Sequence, residues 1–281
     1  MALISCSACS SDNDIHLDGA TPDGARRLRC GDCGHQWSLS LVASRPASTR
    51  SPFAMAKGRF ATSEMVSADR RQRVARLKKQ YLKADTVPAP SPTRPWSDFR
   101  PILSREGLPV SAPEELRELA TGTGVRGGSM MVFNRAWRHL GDDEAAARTR
   151  TSLAYLLHGP EDVPLEDRLT VLLDGELAGG MTGLSEVFYT KVLHIAHPER
   201  FLPILSYGAE GVGKRDLALT VFGLHLPKAD LTAMRIGRLA TWSNDLLLEL
   251  AGPGFRDTHH VATFLGWAKD RVARTRVAAV R

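Results

Sequence analysis

The sequence predicts a mainly α-helical fold that follows a small N-terminal module of short β-hairpins. All four cysteines of the 281-residue chain lie within its first 33 residues, which sets this segment apart from the rest. From residue 96 onward, apolar residues recur at helical spacing, and neither a strand–helix alternation nor a Gly-x-Gly-x-x-Gly motif interrupts them. A hydrophobic fraction of 43% and a charged fraction of 24% are typical of soluble globular proteins.

Membrane and secretory signals are absent from the sequence. No apolar run approaches the roughly 20 residues that span a bilayer. The N-terminal stretch MALISCSACSSDND lacks the basic and apolar segments of a signal peptide. We therefore expect a cytoplasmic location and no membrane partner.

The cysteines form two C-x2-C pairs separated by twenty residues: Cys6, Cys9, Cys30 and Cys33. Two such knuckles direct four thiolates at one metal ion, which is the tetrahedral set that structural Zn²⁺ prefers. A thiol–disulfide redox pair is the alternative, and His16 and His35 are possible substitute ligands. A zinc ion with four protein ligands has no open position, so we expect no catalysis there. Gly34, after the second knuckle, is expected to adopt a positive φ.

The segment RCGDCGHQW resembles the second knuckle of the zinc-ribbon family, and the resemblance covers residues 4 to 40. The first knuckle departs from the family pattern, because Ser10 stands where glycine is common. We place the ribbon at residues 1–42. Such ribbons commonly bind nucleic acid or protein. Three arginines between the knuckles either contact phosphates or are plain surface charges: Arg26, Arg27 and Arg29.

Residues 43–95 are interpreted as a linker that contains one basic helix at 64–84. Ser67 is the expected N-cap, and Val74, Leu77, Tyr81 and Leu82 form a narrow apolar stripe. The helix either lies along a phosphate backbone, docks on the following domain through this stripe, or is a solvated face. The Pro-rich run TVPAPSPTRPW predicts a domain boundary near residue 95. The cations of this helix are Arg70, Arg71, Arg73, Arg76, Lys78, Lys79 and Lys83.

Residues 96–281 are predicted to form an all-α domain. Ser111 is the expected N-cap of a helix that opens at Pro113. Further helices are predicted over 129–140, 143–158, 165–174, 184–196, 214–222, 231–251 and 258–274.

The run TKVLHIAHPERFLPILSYGAEGVGKRDLALTVFGL resembles a helical region that precedes the AAA+ motor in McrB-like proteins, which restrict DNA carrying modified cytosine. A weaker likeness extends over residues 120 to 270. The chain contains no AAA+ motor, and Tyr207 to Gly213 looks like an insertion. The resemblance therefore implies a helical module of a defence system without ATP hydrolysis. The matching residues are His197, Pro198, Arg200, Phe201, Pro203, Ile204, Ser206, Lys214 and Arg215.

Several patterns have a possible catalytic interpretation, but no catalytic residue is assigned. Gly208 to Lys214 fits the G-x4-G-K phosphate loop, yet Arg215 stands where a magnesium-binding Ser or Thr is needed. A glycine-rich turn between helices is favoured over a nucleotide-binding enzyme. Remaining candidates are a second metal site at His194 and His197 or at His259 and His260, and nuclease carboxylates at Asp174 and Glu176 or at Asp142 to Glu144. Satisfied histidines and helix caps are the alternatives.

Taken together, these patterns predict a zinc-dependent nucleic-acid-binding protein, with DNA as the expected ligand, that serves as a recognition or accessory part of a restriction or defence system. Lys214 and Arg215 join the basic residues above as expected phosphate contacts. The alternative is a protein–protein adaptor that docks a separately encoded ATPase or nuclease.

Overall fold

The computed structural model describes residues 15–20, 26–39, 57–84, 94–122, 130–230 and 232–279. The chain separates into two compact units, Met1–Ser51 and Pro52–Arg281. Its described part is mainly helical, as the sequence predicts. No described helix has both the length and the apolar composition to cross a membrane.

The first unit contains a three-stranded antiparallel sheet. Its strands are β1 (Ile15–Ala20), β2 (Arg26–Cys30) and β3 (Gln36–Leu39), in that spatial order. The pairing places Ile15 opposite Cys30 and Leu28 opposite Trp37. The central strand β2 ends at Cys30, and Cys33 lies in the turn that follows it.

The described part of the second unit is built from helices, with longer irregular segments such as 197–213 between some of them. Each helix predicted after residue 96 is present, although the one expected from 231 begins only at Ile236. A π-helical turn, Ala218–Phe222, continues α7. The helices are α1 (Ala68–Lys83), α2 (Pro113–Thr121), α3 (Met130–Leu140), α4 (Asp142–His158), α5 (Leu165–Leu173), α6 (Glu186–Ala196), α7 (Lys214–Leu217), α8 (Ile236–Ala251) and α9 (Thr258–Ala279).

The start of α2 differs from the prediction in its capping residue. Ala112, not Ser111, is the N-cap. Its backbone N–H donates to the Glu115 side chain at 2.8 Å. Ser111 is buried, and its hydroxyl donates to the Leu108 carbonyl at 2.8 Å. The serine thus closes the preceding turn and is not available to the helix.

The basic helix α1 is docked on the helical unit. Ser67 caps it, as predicted, by accepting from the Arg70 N–H at 3.4 Å. Tyr81 is buried, and its ring centroid lies 5.4 Å from those of Phe264 and Trp267 in α9. The helix therefore belongs to the unit Pro52–Arg281. The predicted linker at 43–95 and the boundary near 95 are wrong on this point, because burial of Val74 and Tyr81 joins α1 to the later helices, although Leu82 is exposed.

The helical unit has two hydrophobic cores. The first core contains Trp96, Phe133 and Trp137 among its large side chains, and the second contains Tyr81, Phe222 and Trp242. The segment 201–207 supplies both of them. Phe201 and Leu205 belong to the first core, whereas Leu202 and Tyr207 belong to the second. This segment therefore joins the two halves of the unit.

Helices α5 and α8 approach closely at a glycine. A Cβ atom on Gly237 would lie 2.4 Å from the Thr170 backbone nitrogen. Around this contact, Arg238 binds Asp167 at 2.7 Å and Trp242 donates its indole N–H to Glu166 at 3.0 Å.

We expect Gly237→Ala to lower the free energy of unfolding by about 2 kcal/mol or more, because the added methyl group forces two packed helices apart. Gly266 in α9 is the matched control, since a Cβ there meets nothing within 4 Å. Gly266→Ala should raise stability by about 0.5–1 kcal/mol through helix propensity. Chemical denaturation of both variants measures the difference, and equal effects would contradict the close-packing argument.

Candidate nucleic-acid interface

The second cysteine knuckle is a tight turn between β2 and β3. The Cys30 N–H donates to the His35 carbonyl at 2.9 Å, and the Gly34 N–H donates to the Cys30 carbonyl at 2.9 Å. Gly34 has a φ of 73°, which confirms the positive φ predicted there. Cys30 is buried and Cys33 is exposed. This turn therefore contains two of the four predicted zinc ligands.

The other two predicted zinc ligands, Cys6 and Cys9, lie outside the described residues. Across the residues that are described, no group of three or more His, Cys, Asp or Glu side chains is placed to hold a metal ion. The four-thiolate Zn²⁺ site therefore stays a prediction, of which the Cys30–Cys33 half has a defined backbone.

The predicted phosphate-binding arginines of the first unit all lie on β2. Arg26, Arg27 and Arg29 pair with Leu39, Ser38 and Gln36 of β3. Arg29 is exposed. Because β2 is the central strand, its backbone pairs with both β1 and β3.

Three exposed cations on one face of α1 define an outer basic row: Arg76, Lys79 and Lys83. All three residues are exposed. At helical spacing they lie on the face opposite Val74 and Tyr81, which are buried. With a rise of about 1.5 Å per residue, the row extends over about 10 Å. No described carboxylate lies within ion-pair distance of the three side chains.

Other cations of α1 are engaged inside the fold. Lys78 donates to the carbonyls of Ala251 at 2.6 Å and Pro253 at 2.5 Å, and its ammonium lies 4.7 Å from the centre of the Phe255 ring. It thus satisfies carbonyls at the C-terminus of α8, where a positive charge is favourable. Burial lowers the pKa of Lys78. Because two of its three N–H donors bond to these carbonyls, Lys78 acts as a helix cap and is left out of the outer basic row.

Two neighbouring arginines also have contacts within the unit. The Arg71 guanidinium donates to the Val66 carbonyl at 2.9 Å and the Glu64 carbonyl at 3.2 Å. Arg70 is half-buried, and its Nε lies 3.3 Å from the position of a Cβ on Gly223. Arg73 is half-buried as well. The predicted set of seven cations on α1 is thereby narrowed to the outer basic row, with Arg71 exposed at its edge.

Lys214 is completely buried, with 0% of its surface exposed. Its ammonium donates to the Ala240 carbonyl in α8 at 2.9 Å. The backbone N–H groups of Lys214 and Arg215 donate to the carbonyls of Ser206 and Tyr207 at 3.0 and 2.9 Å. The predicted phosphate contact through Lys214 is therefore wrong, because its side chain points into the core and not out of the G-x4-G-K loop. Arg215 is half-buried and borders a pocket.

The histidine and carboxylate candidates have structural partners. His194 is buried and donates from Nδ1 to the Phe201 carbonyl at 2.7 Å, and burial lowers its pKa. Asp142 accepts the Trp137 indole N–H at 2.6 Å. Asp174 and Glu176 both bind Arg235. These four side chains therefore have hydrogen-bond or ion-pair partners within the fold. Such contacts favour a structural role for them and not a second metal site or a nuclease centre.

No protein-family model, curated protein or solved structure matches this chain.

Lys191 is a buried cation that sequence reasoning missed. It is 2% exposed, donates to the Leu119 carbonyl in α2, and lies 5.7 Å from the centre of the Phe188 ring. Lys191 lies in an apolar stretch of α6, and its partner is a backbone carbonyl. No acidic residue in the sequence therefore indicates where this ammonium is bound. Burial lowers its pKa from 10.5 to about 8. Burial also lowers the pKa of Lys214, although Glu186 and Asp245 oppose this shift.

We expect the free energy of unfolding to rise with pH from about 8 toward 10, because the unfolded chain then holds lysine protons that the folded protein lacks. Each buried lysine adds up to about 1.4 kcal/mol per pH unit in this window. Above about pH 10 the trend reverses, because burial raises the pKa of Tyr189 and Tyr207.

Chemical denaturation across this range tests the effect. Lys191→Met should flatten the rise, whereas Lys79→Met, at an exposed site, should leave it unchanged. An identical slope in the wild type and Lys191→Met would show that Lys191 is not the titrating group.

Proposed function

We propose that this protein is a zinc-dependent nucleic-acid-binding protein, with DNA as the expected ligand, and that it acts without catalysis. The outer basic row on α1 carries the proposal. Three exposed cations at helical spacing, without a described acidic partner, form a surface that attracts a polyanion.

The docking of α1 supports this role. Because Val74 and Tyr81 anchor the helix in the second core, the outer basic row is presented on a rigid element. Phosphate contacts of this kind position a protein on its ligand without reading sequence. Base recognition would then come from other side chains, while the arginines of β2 are further candidate phosphate contacts in the zinc module.

The zinc ribbon is part of the same proposal. Its support is the cysteine spacing together with the Cys30–Cys33 turn and the positive φ of Gly34. A module of about forty residues gains most of its folding free energy from the metal, on the order of 10 kcal/mol. Zinc would therefore hold the β2 arginines in place.

A role in a restriction or defence system rests on the resemblance of residues 190–224 to the region before the AAA+ motor of McrB-like proteins. In this chain the matching residues connect α6 to α8. Asn244 accepts the Leu202 N–H and donates to the Arg200 carbonyl, each at 2.9 Å. A separately encoded ATPase or nuclease would be the partner that supplies catalysis.

The triple variant Arg76→Gln, Lys79→Gln and Lys83→Gln should weaken binding to duplex DNA and reduce the salt dependence. Loss of three phosphate contacts lowers the slope of log K against log salt by about 2.7. Fluorescence anisotropy at several salt concentrations between about 50 and 200 mM measures both quantities.

The matched control is Arg105→Gln, Arg135→Gln and Arg138→Gln, which removes three exposed charges elsewhere on the unit. Its affinity should change far less. If wild-type protein binds neither duplex DNA, single strands nor RNA at low salt, the proposed function is lost. If the two triple variants lose the same affinity for DNA, the outer basic row is not the binding surface, but the proposal of nucleic-acid binding itself still stands.

The zinc prediction has a separate test. Purified protein should contain one Zn²⁺ per chain, and Cys33→Ser should lose most of it and make residues 1–42 sensitive to protease. Asp32→Asn, in the same turn, should retain the metal. Elemental analysis and limited proteolysis give the result, and wild-type protein without stoichiometric zinc would disprove the ribbon.

A further inference from the structure

A pocket of about 520 Å³ lies beside the glycine-rich loop at the start of α7. Arg215 and Lys228 line it, and Leu219 and Leu226 supply apolar surface. Its volume is within the range of small-ligand sites, and most of its lining side chains are ionisable. The nucleic-acid proposal makes no use of this pocket.

The charges in the pocket favour an anionic ligand. Besides Arg215 and Lys228, the lining contains His225 and two acids, Glu210 and Asp216. The carboxylate of Asp216 is already paired with Lys269 at 2.7 Å. Glu210 is thus the acid in the lining that remains to oppose Arg215 and Lys228.

Hydrogen bonds connect both walls of the pocket to the rest of the unit. The buried Tyr207 donates its hydroxyl to the Pro227 carbonyl at 2.5 Å, which ties the loop to the segment that carries Lys228. Lys269 donates to the Gly211 carbonyl and also binds Asp216, so the glycine-rich rim is fixed to α9. A site held in this way has little conformational entropy to lose when it binds a ligand.

We propose that this pocket binds a nucleoside phosphate. The phosphate group pairs with Arg215 and Lys228, and one face of the base lies on Leu219, whose side chain is 38% exposed. A guanidinium and an ammonium are the side chains that bind phosphate oxygens best. Lys214, the lysine that the loop motif suggests, takes no part, because it is buried against α8.

Calorimetric titration of the full-length protein with AMP, GMP, CMP and UMP tests the proposal, and inorganic phosphate serves as the comparison. We expect at least one nucleotide to bind more tightly than inorganic phosphate. Arg215→Gln and Lys228→Gln should each weaken that binding by about tenfold. Glu210→Gln should tighten it, because it removes the opposing charge.

Lys228 and Glu210 are exposed, so their replacement is compatible with folding, and thermal unfolding of each variant checks this. The control variant Arg105→Gln and Arg135→Gln should bind nucleotide like the wild type, as should the triple variant of the outer basic row.

Three results would overturn the proposal: no nucleotide binding at about 10 mM ligand, inorganic phosphate that binds as tightly as every nucleotide, or folded Lys228→Gln and Glu210→Gln proteins with unchanged affinity. None of these results bears on DNA binding by the outer basic row, so the two proposals fail separately.

Discussion

The buried ammonium of Lys214 is the contact on which the helical unit depends. It extends from α7 to the Ala240 carbonyl of α8, and Glu186, at the start of α6, contributes the opposite charge nearby. Glu186 in turn accepts the Tyr207 N–H at 2.5 Å. Burial raises the pKa of Glu186 and lowers that of Lys214, so both charges lose hydration. The hydrogen bond to Ala240 and the attraction of Glu186 offset part of this loss for Lys214, so removing either partner would leave a buried charge at the junction of the three helices.

The same junction explains the glycine-rich motif. A Cβ on Gly213 would lie 2.6 Å from the Ala209 carbonyl oxygen, so only glycine permits the turn that brings Lys214 into the core. The pattern G-x4-G-K thus arises here from chain reversal and lysine burial. The spacing of glycine and lysine does not distinguish this arrangement from a phosphate loop, because in both the lysine follows a tight turn. The direction of the lysine side chain separates them, and it depends on α8, whose residues come later in the chain.

Helices were predictable wherever apolar periodicity and a local cap coincide, as at Ser67 and Val74 in α1. Docking of α1 through its apolar stripe was one of three interpretations that the sequence left open, because a Pro-rich segment follows the helix and its contacts come from α9, almost two hundred residues away. The capping role of Lys78 also depends on distant residues, since its partners are the carbonyls of Ala251 and Pro253. Among the site residues, the turn at Gly34 follows from local chemistry. The burial of Lys214 required tertiary contacts that no local pattern contains.

Repulsion between the cations of the outer basic row destabilises the isolated protein. Arg76 and Lys79 are three residues apart and Lys79 and Lys83 four, and like charges at these spacings destabilise a helix by about 0.2–0.5 kcal/mol per pair. The only acid in α1 is Asp69, in the first turn and distant from the row. Docking through Val74, Tyr81 and the Lys78 cap keeps the helix folded despite this repulsion. A bound polyanion would reduce this repulsion between the cations. The binding free energy proposed for this surface therefore includes the relief of a repulsion that is present in the free protein.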